Sequence, residues 1–319
     1  MAANRKWTEY KNSRGYDVTC CEGEHVSLSE LTDDPGVDNR YLRKKNIPPY
    51  PQSVLFRISE VCHVTEESGV WGIFDDGGFK IPHHDKYDKE NFLWWSLSVT
   101  EEDIADAEEN FLEELFPDGW GHNQQTFLEE FTTSPAFQSE SRYGNFCFTF
   151  RLRELLSLYA RQFCDGSAPV FRVLDTKIYK KEIMYSVLVH PRYIKYYSQY
   201  PRLPINSDDD VCGYFQGNML WCCQAPSAGH GHRLVVDKEK STVHARRLNG
   251  EEYYVWDHVA VAFHMEPRWV LEVDRERLYS SLSVCEVTER NLLREPDRAL
   301  SEREASEVLQ DIASNYNLD

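Results

Sequence analysis

The sequence predicts an α+β protein with a mixed, largely antiparallel sheet, flanking helices and a β-rich C-terminal half. Two observations lead to this class. Segments with strand and helix periodicity alternate up to about residue 200, and a run of short, turn-separated apolar segments follows. Mixed strands and helices followed by grouped strands are typical of α+β proteins. The 319 residues are 41% hydrophobic, which suffices for one large or two ordinary domains.

Three regions follow from the composition. Residues 1–52 are polar, contain the turn cluster DDPGVDN and the stiff connector IPPYP, and are interpreted as a partly ordered N-terminal extension. Residues 53–200 hold the alternating strands and helices. Residues 201–319 are predicted to form a β-rich region that packs on them and ends in a C-terminal helix.

The first elements lie between residues 53 and 100. VLFRI and FLWWSLSV alternate or run apolar and are predicted strands. Thr65 is the predicted N-cap of a short helix, and Gly77 and Gly78 are predicted to end it, because glycine accepts positive φ. The apolar side of that helix is Val70, Ile73 and Phe74.

Capping patterns define two longer helices. Thr100 and Asp103 resemble a capping box before an amphipathic segment, and Ser301 and Glu304 form one before the C-terminal helix. RELLSLYARQFC is a third amphipathic helix, and NFCFTF, VFRVL and IMYSVLVH are predicted strands. The last is so apolar that it is expected at the centre of a sheet. Later predicted strands are MLWCC, HRLVVD, STVHARRL, YYVWDHVAVAFH and WVLEVD.

Charge and cysteine usage limit the function classes. The formal net charge of -18 disfavours nucleic acid and anionic membrane surfaces as partners. Nine cysteines without regular spacing, mostly beside apolar residues, suit a reduced compartment. The N-terminus has no apolar signal segment, and no apolar run approaches the ~18 residues of a membrane span. We therefore expect a soluble, cytoplasmic protein.

His63 is the first candidate site residue, since it follows an apolar strand and precedes a helix N-terminus. Helix N-termini offer unpaired N–H groups to anionic ligands, and a strand holds a side chain rigidly. The alternative is a buried histidine bonded to backbone.

Two further strands carry candidate residues. Trp94 and Trp95 are expected on opposite faces of their strand, one in the core and the other, beside Ser96, as an aromatic wall of a pocket. Glu182 stands at the start of a very apolar strand, where a carboxylate is unusual. The alternatives are core packing for both tryptophans, and an exposed Glu182 paired with Lys180 or Lys181.

Together these motifs resemble the ADP-ribosyltransferase-like superfamily over about residues 53–190. CHVT…IFDDGGF is similar to its histidine–threonine start with a downstream glycine turn, FLWWS to its second motif, and KKEIMYSVLV to its glutamate motif. The chain departs from the family at Val64, where many members have glycine, and at Trp95–Ser96, where the best-known branch has tyrosine.

The resemblance implies NAD as a substrate and ADP-ribosyl transfer to a protein or nucleotide acceptor. Glu182 would stabilise positive charge on the ribose as the nicotinamide bond breaks. His63, together with Thr65 in the same motif, would orient a ribose or the pyrophosphate. Trp95 would stack on nicotinamide and Ser96 would bond its amide.

Other clusters compete with this interpretation. Five thiols and imidazoles within twenty-one residues form a possible zinc site, although the usual Cys-x-x-Cys spacing is absent, so zinc is not expected. They are Cys212, Cys222, Cys223, His230 and His232. His83, His84 and Asp85 are interpreted as a polar loop rather than a metal site. No cysteine has a recognisable catalytic setting, and no P-loop or GxGxxG pattern occurs.

The second function hypothesis is a non-catalytic intracellular binding protein on a related fold. Its sequence support is a group of aromatic residues that would form a recognition surface or a core: Trp221, Tyr253, Tyr254 and Trp256. The two hypotheses differ at Glu182, because ADP-ribosyl transfer requires this carboxylate in one pocket with His63.

Overall fold

The computed structural model describes residues 5–11, 17–42, 53–81, 91–137, 141, 143–205, 211–225, 231–248, 255–287 and 299–318. The described residues hold sixteen strands and six α-helices, which confirms the α+β class. The strands are β1 Trp7–Lys11, β2 Asp17–Glu22, β3 Val54–Ile58, β4 Glu60–Thr65, β5 Gly78–Phe79, β6 Phe92–Ser98, β7 Phe146–Arg151, β8 Val170–Tyr179, β9 Glu182–His190, β10 Cys212–Phe215, β11 Asn218–Cys223, β12 His232–Asp237, β13 Thr242–Arg247, β14 Trp256–His264, β15 Leu271–Glu272 and β16 Leu282–Val284. The helices are α1 Leu28–Asp33, α2 Glu67–Asp76, α3 Glu101–Leu115, α4 Leu152–Phe163, α5 Arg275–Ser281 and α6 Glu302–Tyr316, with 3₁₀ turns at Leu128–Glu130 and Tyr196–Gln199.

One nine-stranded sheet organises the molecule, in the order β1-β2-β8-β9-β14-β6-β4-β7-β16. Its neighbours pair antiparallel except β9 and β14, which are parallel. Strands from residues 1–52, 53–200 and 201–319 all contribute to this sheet. Trp7–Lys11 and Asp17–Glu22 are therefore part of the main sheet, and the boundary near residue 200 does not separate two sheets.

The two faces of this sheet differ in what covers them. The inner face packs on the large hydrophobic core and carries Tyr185, Val187 and Val261. The outer face carries Leu188 and Ala262 in a second, smaller apolar cluster. Because side chains alternate along a strand, residues of one strand divide between these two faces. The apolar character of β9 follows, since both of its faces are covered.

The helix ends mostly follow the sequence predictions. The capping boxes at Thr100 and Ser301 are both formed, so α3 and α6 begin where predicted. Gly77 ends α2 in the left-handed conformation. The N-cap of α2 is Glu66 rather than the predicted Thr65, which remains in β4 as its last residue. Pairing with Phe146 of β7 keeps Thr65 extended.

Candidate functional site

Strands β4 and β6 separate where His63 begins. They pair only from Glu60 to Cys62, opposite Ser98 to Ser96. Beyond that point β4 continues with β7, while β6 continues with β14. We call the gap between residues 63–65 of β4 and residues 92–95 of β6 the fork. A diverging sheet leaves backbone groups that need other partners, which makes the fork a candidate ligand site.

His63 fills part of the fork. Its ring is half-buried, and Nδ1 lies 2.9 Å from the carbonyl oxygen of Trp94. Burial lowers the pKa of His63, and the hydrogen bond to Trp94 opposes this effect only in part. A carbonyl oxygen can only accept, so Nδ1 carries the proton and Nε2 of the neutral ring is an acceptor. Within the described part of the chain, Nε2 has no hydrogen-bond partner.

Trp95 lies behind His63 on the inner face. It is 1% exposed, and its ring contacts three others at centroid distances of 5.0 Å to Phe79, 5.4 Å to His63 and 5.8 Å to Phe150. Its indole Nε1 has no hydrogen-bond partner among the described residues, which costs roughly 1–3 kcal/mol. The aromatic cluster therefore holds one buried, unsatisfied donor. Trp95 supports His63 and offers no open ring face for stacking.

Thr65 closes the fork at the start of α2. A side chain at Gly69 would overlap the Thr65 hydroxyl, and one at Gly144 would overlap the Thr65 carbonyl. Both glycines therefore let the backbone approach the end of β4 closely. The glycine-rich local sequence positions Thr65 next to the helix, although the hydroxyl does not cap it.

Ser96 and Trp94 lie on the other side of the sheet from His63. Ser96 is level with Cys62 and Ala260, and all three belong to the outer face. Trp94 is half-buried there, with the Lys177 ammonium 4.8 Å from its ring centroid. The prediction that Trp94 and Trp95 face opposite sides is confirmed. Trp95 and Ser96 therefore do not share one pocket.

Glu182 lies at the head of β9 and is 9% exposed. Its carboxylate Oε1 is 2.9 Å from Nε2 of His258, which comes from the neighbouring strand β14. The parallel pairing of β9 and β14 brings these residues together on the outer face. The partner of Glu182 is thus an imidazole 76 positions away in the sequence, in addition to any contact with the adjacent lysines.

Glu182 and His63 are far apart. Three strand-to-strand steps separate β9 from β4, and the register places Ser186 level with Cys62. Glu182 precedes Ser186 by four residues. With strands about 4.8 Å apart and a rise of about 3.3 Å per residue, the separation is roughly 20 Å. The two residues also face opposite sides of the sheet, so the structure does not bring them into one pocket.

The cysteines and histidines considered for zinc are dispersed. Cys212 lies 3.4 Å from Nδ1 of His25, the Cys223 thiol donates to Asp257, and His232 lies 3.5 Å from Glu130. His230, His83, His84 and Asp85 lie outside the described residues. Within the ranges that the structure describes, no group of three or more His, Cys, Asp or Glu side chains is suited to a metal ion.

The contact between Cys212 and His25 is one that sequence reasoning missed. His25 Nε2 donates to the Ser186 carbonyl oxygen at 3.0 Å, so Nδ1 accepts from the thiol. The pair is 187 positions apart, and no local pattern signals it. Cys212 is 1% exposed, so the pair links strand β10 to the Ser186 backbone of β9.

The aromatic residues considered for a recognition surface are also placed. Trp221 is 1% exposed and stacks on Phe137 at 5.3 Å, and Trp256 is 5% exposed. Both belong to the core. Tyr253 and Tyr254 lie outside the described residues.

Comparison with known proteins adds no assignment: no family model, curated protein or solved structure matches this chain. In the part of the chain that the structure describes, no helix is long and apolar enough to cross a membrane.

Proposed function

We propose that this protein is a non-catalytic binding protein, and that its ligand is a nucleotide of the NAD class held at the fork. The observation that carries the proposal is the separation of roughly 20 Å between Glu182 and His63, derived from strand order and register. The fork offers the acceptor Nε2 of His63, whereas the carboxylate required for transfer lies on the other face.

The chemistry of transfer explains why this separation matters. Breaking the nicotinamide–ribose bond builds positive charge on the sugar, and a carboxylate must contact that sugar to stabilise the charge. His63 is neutral because burial lowers its pKa, so it supplies no compensating charge. Its Nε2 is suited instead to accept a hydrogen bond from a ribose hydroxyl or an amide N–H.

NAD binding to variants tests the proposal. We expect saturable binding by the wild-type protein in calorimetry, weakened by about tenfold or more in His63→Ala because the acceptor is lost. His258→Gln removes an imidazole from the outer face and is the matched control, so its affinity should equal that of wild type. Absence of NAD binding by folded wild-type protein would reject this ligand class.

ADP-ribosyl transfer with Glu182 as catalytic carboxylate is the competing hypothesis, and a turnover assay tests it. Nicotinamide release and self-modification would be measured for wild type and Glu182→Gln. Release that Glu182→Gln abolishes, with its circular dichroism unchanged, would overturn the non-catalytic proposal. We expect no release from either protein and unchanged NAD affinity in Glu182→Gln.

A further inference from the structure

Arg172 of β8 lies directly opposite Arg202, which belongs to a segment that pairs with the start of β8. Residues 201–203 pair with residues 171–173 through two backbone hydrogen bonds. The Leu203 N–H donates to the Phe171 carbonyl at 3.1 Å, and the Val173 N–H donates to the Pro201 carbonyl at 3.0 Å. These two bonds flank the antiparallel bridge between Arg172 and Arg202. Such a non-hydrogen-bonded pair has the closer of the two cross-strand spacings, about 4.5 Å between Cα atoms.

This like-charge pair lacks a compensating carboxylate within the described residues. Arg172 donates from Nε to His190 Nε2 at 3.0 Å and from Nη1 to the Tyr200 carbonyl at 2.5 Å, and both acceptors are uncharged. Burial lowers the pKa of Arg172, and the positive charge of Arg202 lowers it further. Like charges directly opposite on neighbouring strands are destabilising.

His190 does not relieve this repulsion. Its Nδ1–H donates to the Pro191 carbonyl oxygen at 2.7 Å, which leaves Nε2 as the acceptor for Arg172. The pKa of His190 is lowered to about 4, chiefly by burial and in part by the positive charges of Arg172 and Arg202, so the ring is neutral at neutral pH. The contact orients the Arg172 guanidinium without changing the local charge.

We infer that Arg172 and Arg202 form a binding site for a phosphate group. Guanidinium groups bind phosphate oxygens through N–H donors, and Arg172 keeps donors beyond the two bonds to His190 and Tyr200 because a guanidinium has five N–H groups. The backbone bridge starts the Arg202 side chain beside that of Arg172, so one tetrahedral anion can receive donors from both. Arg172 is held in place by His190 and Tyr200, whereas Arg202 is exposed and able to adjust. The site is on β8, three strands away from β6 of the fork, and does not depend on the proposed function.

Thermal stability in phosphate tests this site. Wild-type protein would be compared in inorganic phosphate, pyrophosphate, AMP and sodium chloride at matched ionic strength, which separates anion binding from charge screening. We expect a higher Tm in the phosphate solutions than in chloride. An increase in Tm with inorganic phosphate indicates a free-anion site. An increase confined to AMP indicates a nucleotide phosphate at this site only if Arg202→Glu abolishes it, because AMP binding at the fork would survive that substitution. Equal Tm values in chloride and in all three phosphate probes would overturn the inference.

Variants of the exposed partner separate binding from structure. Arg202→Glu replaces repulsion by attraction, so its Tm in chloride should equal or exceed that of wild type, while the phosphate-dependent gain disappears. Arg202→Gln should weaken phosphate binding by about tenfold or more. Arg192→Gln, an exposed arginine outside the pair, is the control and should keep the full gain. The proposal would be contradicted if Arg192→Gln lost the phosphate-dependent increase in Tm, or if Arg202→Glu kept it.

Discussion

His63, His190 and His264 are imidazoles whose pKa values the fold lowers by burial. Each ring is oriented by a neighbour: the Trp94 carbonyl, the Arg172 guanidinium and the Tyr197 hydroxyl, respectively. The sequence marked His63 as a candidate because it follows a strand. It did not mark His190 or His264, because their partners come from other strands and from the segment after β9.

The buried histidines make stability depend on pH. For His190 the pKa falls from 6.5 to about 4 on folding. Between these values the unfolded chain binds a proton that the folded chain does not, so stability is present above pH 6.5 and is lost as the pH falls towards 4. The contribution of His190 is roughly 3 kcal/mol. Urea unfolding at pH 7.5 and 4.5 would measure it.

His190→Gln is the variant that isolates this contribution, because it removes the titrating group. We expect a smaller loss of unfolding free energy between pH 7.5 and 4.5 than in wild type. His244→Gln removes an exposed histidine and should leave the wild-type loss unchanged. An identical loss in wild type and His190→Gln would refute the assignment.

At the scale of elements, the junction between β4 and α2 shows how local sequence positions the candidate site. Thr65 ends β4, Glu66 caps α2 without a side-chain hydrogen bond, and Gly69 makes room for Thr65. The cap prediction missed by one residue because pairing with β7 extends the strand through Thr65. Local preference allowed either Thr65 or Glu66 as the N-cap of α2, and the pairing of β4 with β7 selected Glu66.

Two glycines of α2 provide a matched comparison. Gly72→Ala meets no atom within 4 Å and should raise the unfolding free energy by up to about 1 kcal/mol, since alanine favours helix. Gly69→Ala should lower it, because the new methyl overlaps the stiff Thr65 side chain. Chemical unfolding of both variants gives the values. Equal changes in unfolding free energy in the two variants would show that the Thr65 side chain rotates away without cost. Adding Thr65→Ala to Gly69→Ala should restore the lost unfolding free energy.

At the scale of the whole molecule, the nine-stranded sheet is assembled from segments far apart in sequence. β14 lies between β9 and β6, so a strand from the C-terminal part completes the centre of the sheet. α6 packs on α2, where Tyr316 stacks on Phe74 at 5.4 Å and donates to Asp75 at 2.5 Å. The C-terminal region is therefore integral to the fold around His63.

This arrangement predicts that residues 53–200 do not fold alone. A fragment of these residues lacks β14, which lies between β9 and β6. The backbone N–H and C=O groups of β9 and β6 that pair with β14 would then be exposed. Dispersed NMR signals should be absent from the fragment and appear when residues 201–319 are added. A cooperative unfolding transition of the isolated fragment would contradict this expectation.

Strand and helix locations were largely predictable, because periodicity and capping are local properties. The alternation of β6, the apolar character of β9 and the capping boxes at Thr100 and Ser301 all depend on residues within a few positions. The opposite orientation of Trp94 and Trp95 followed from strand geometry alone. What these patterns do not encode is which strands become neighbours.

The amino-acid sequence by itself therefore determined the α+β class, the starts of α3 and α6, the end of α2 and the opposite facing of Trp94 and Trp95. Only the tertiary structure decided which polar groups meet: His63 with the Trp94 carbonyl, Glu182 with His258, and Arg172 with Arg202. The physical reason is that secondary structure arises from contacts within a few residues, whereas strand order and register minimise the free energy of the whole core.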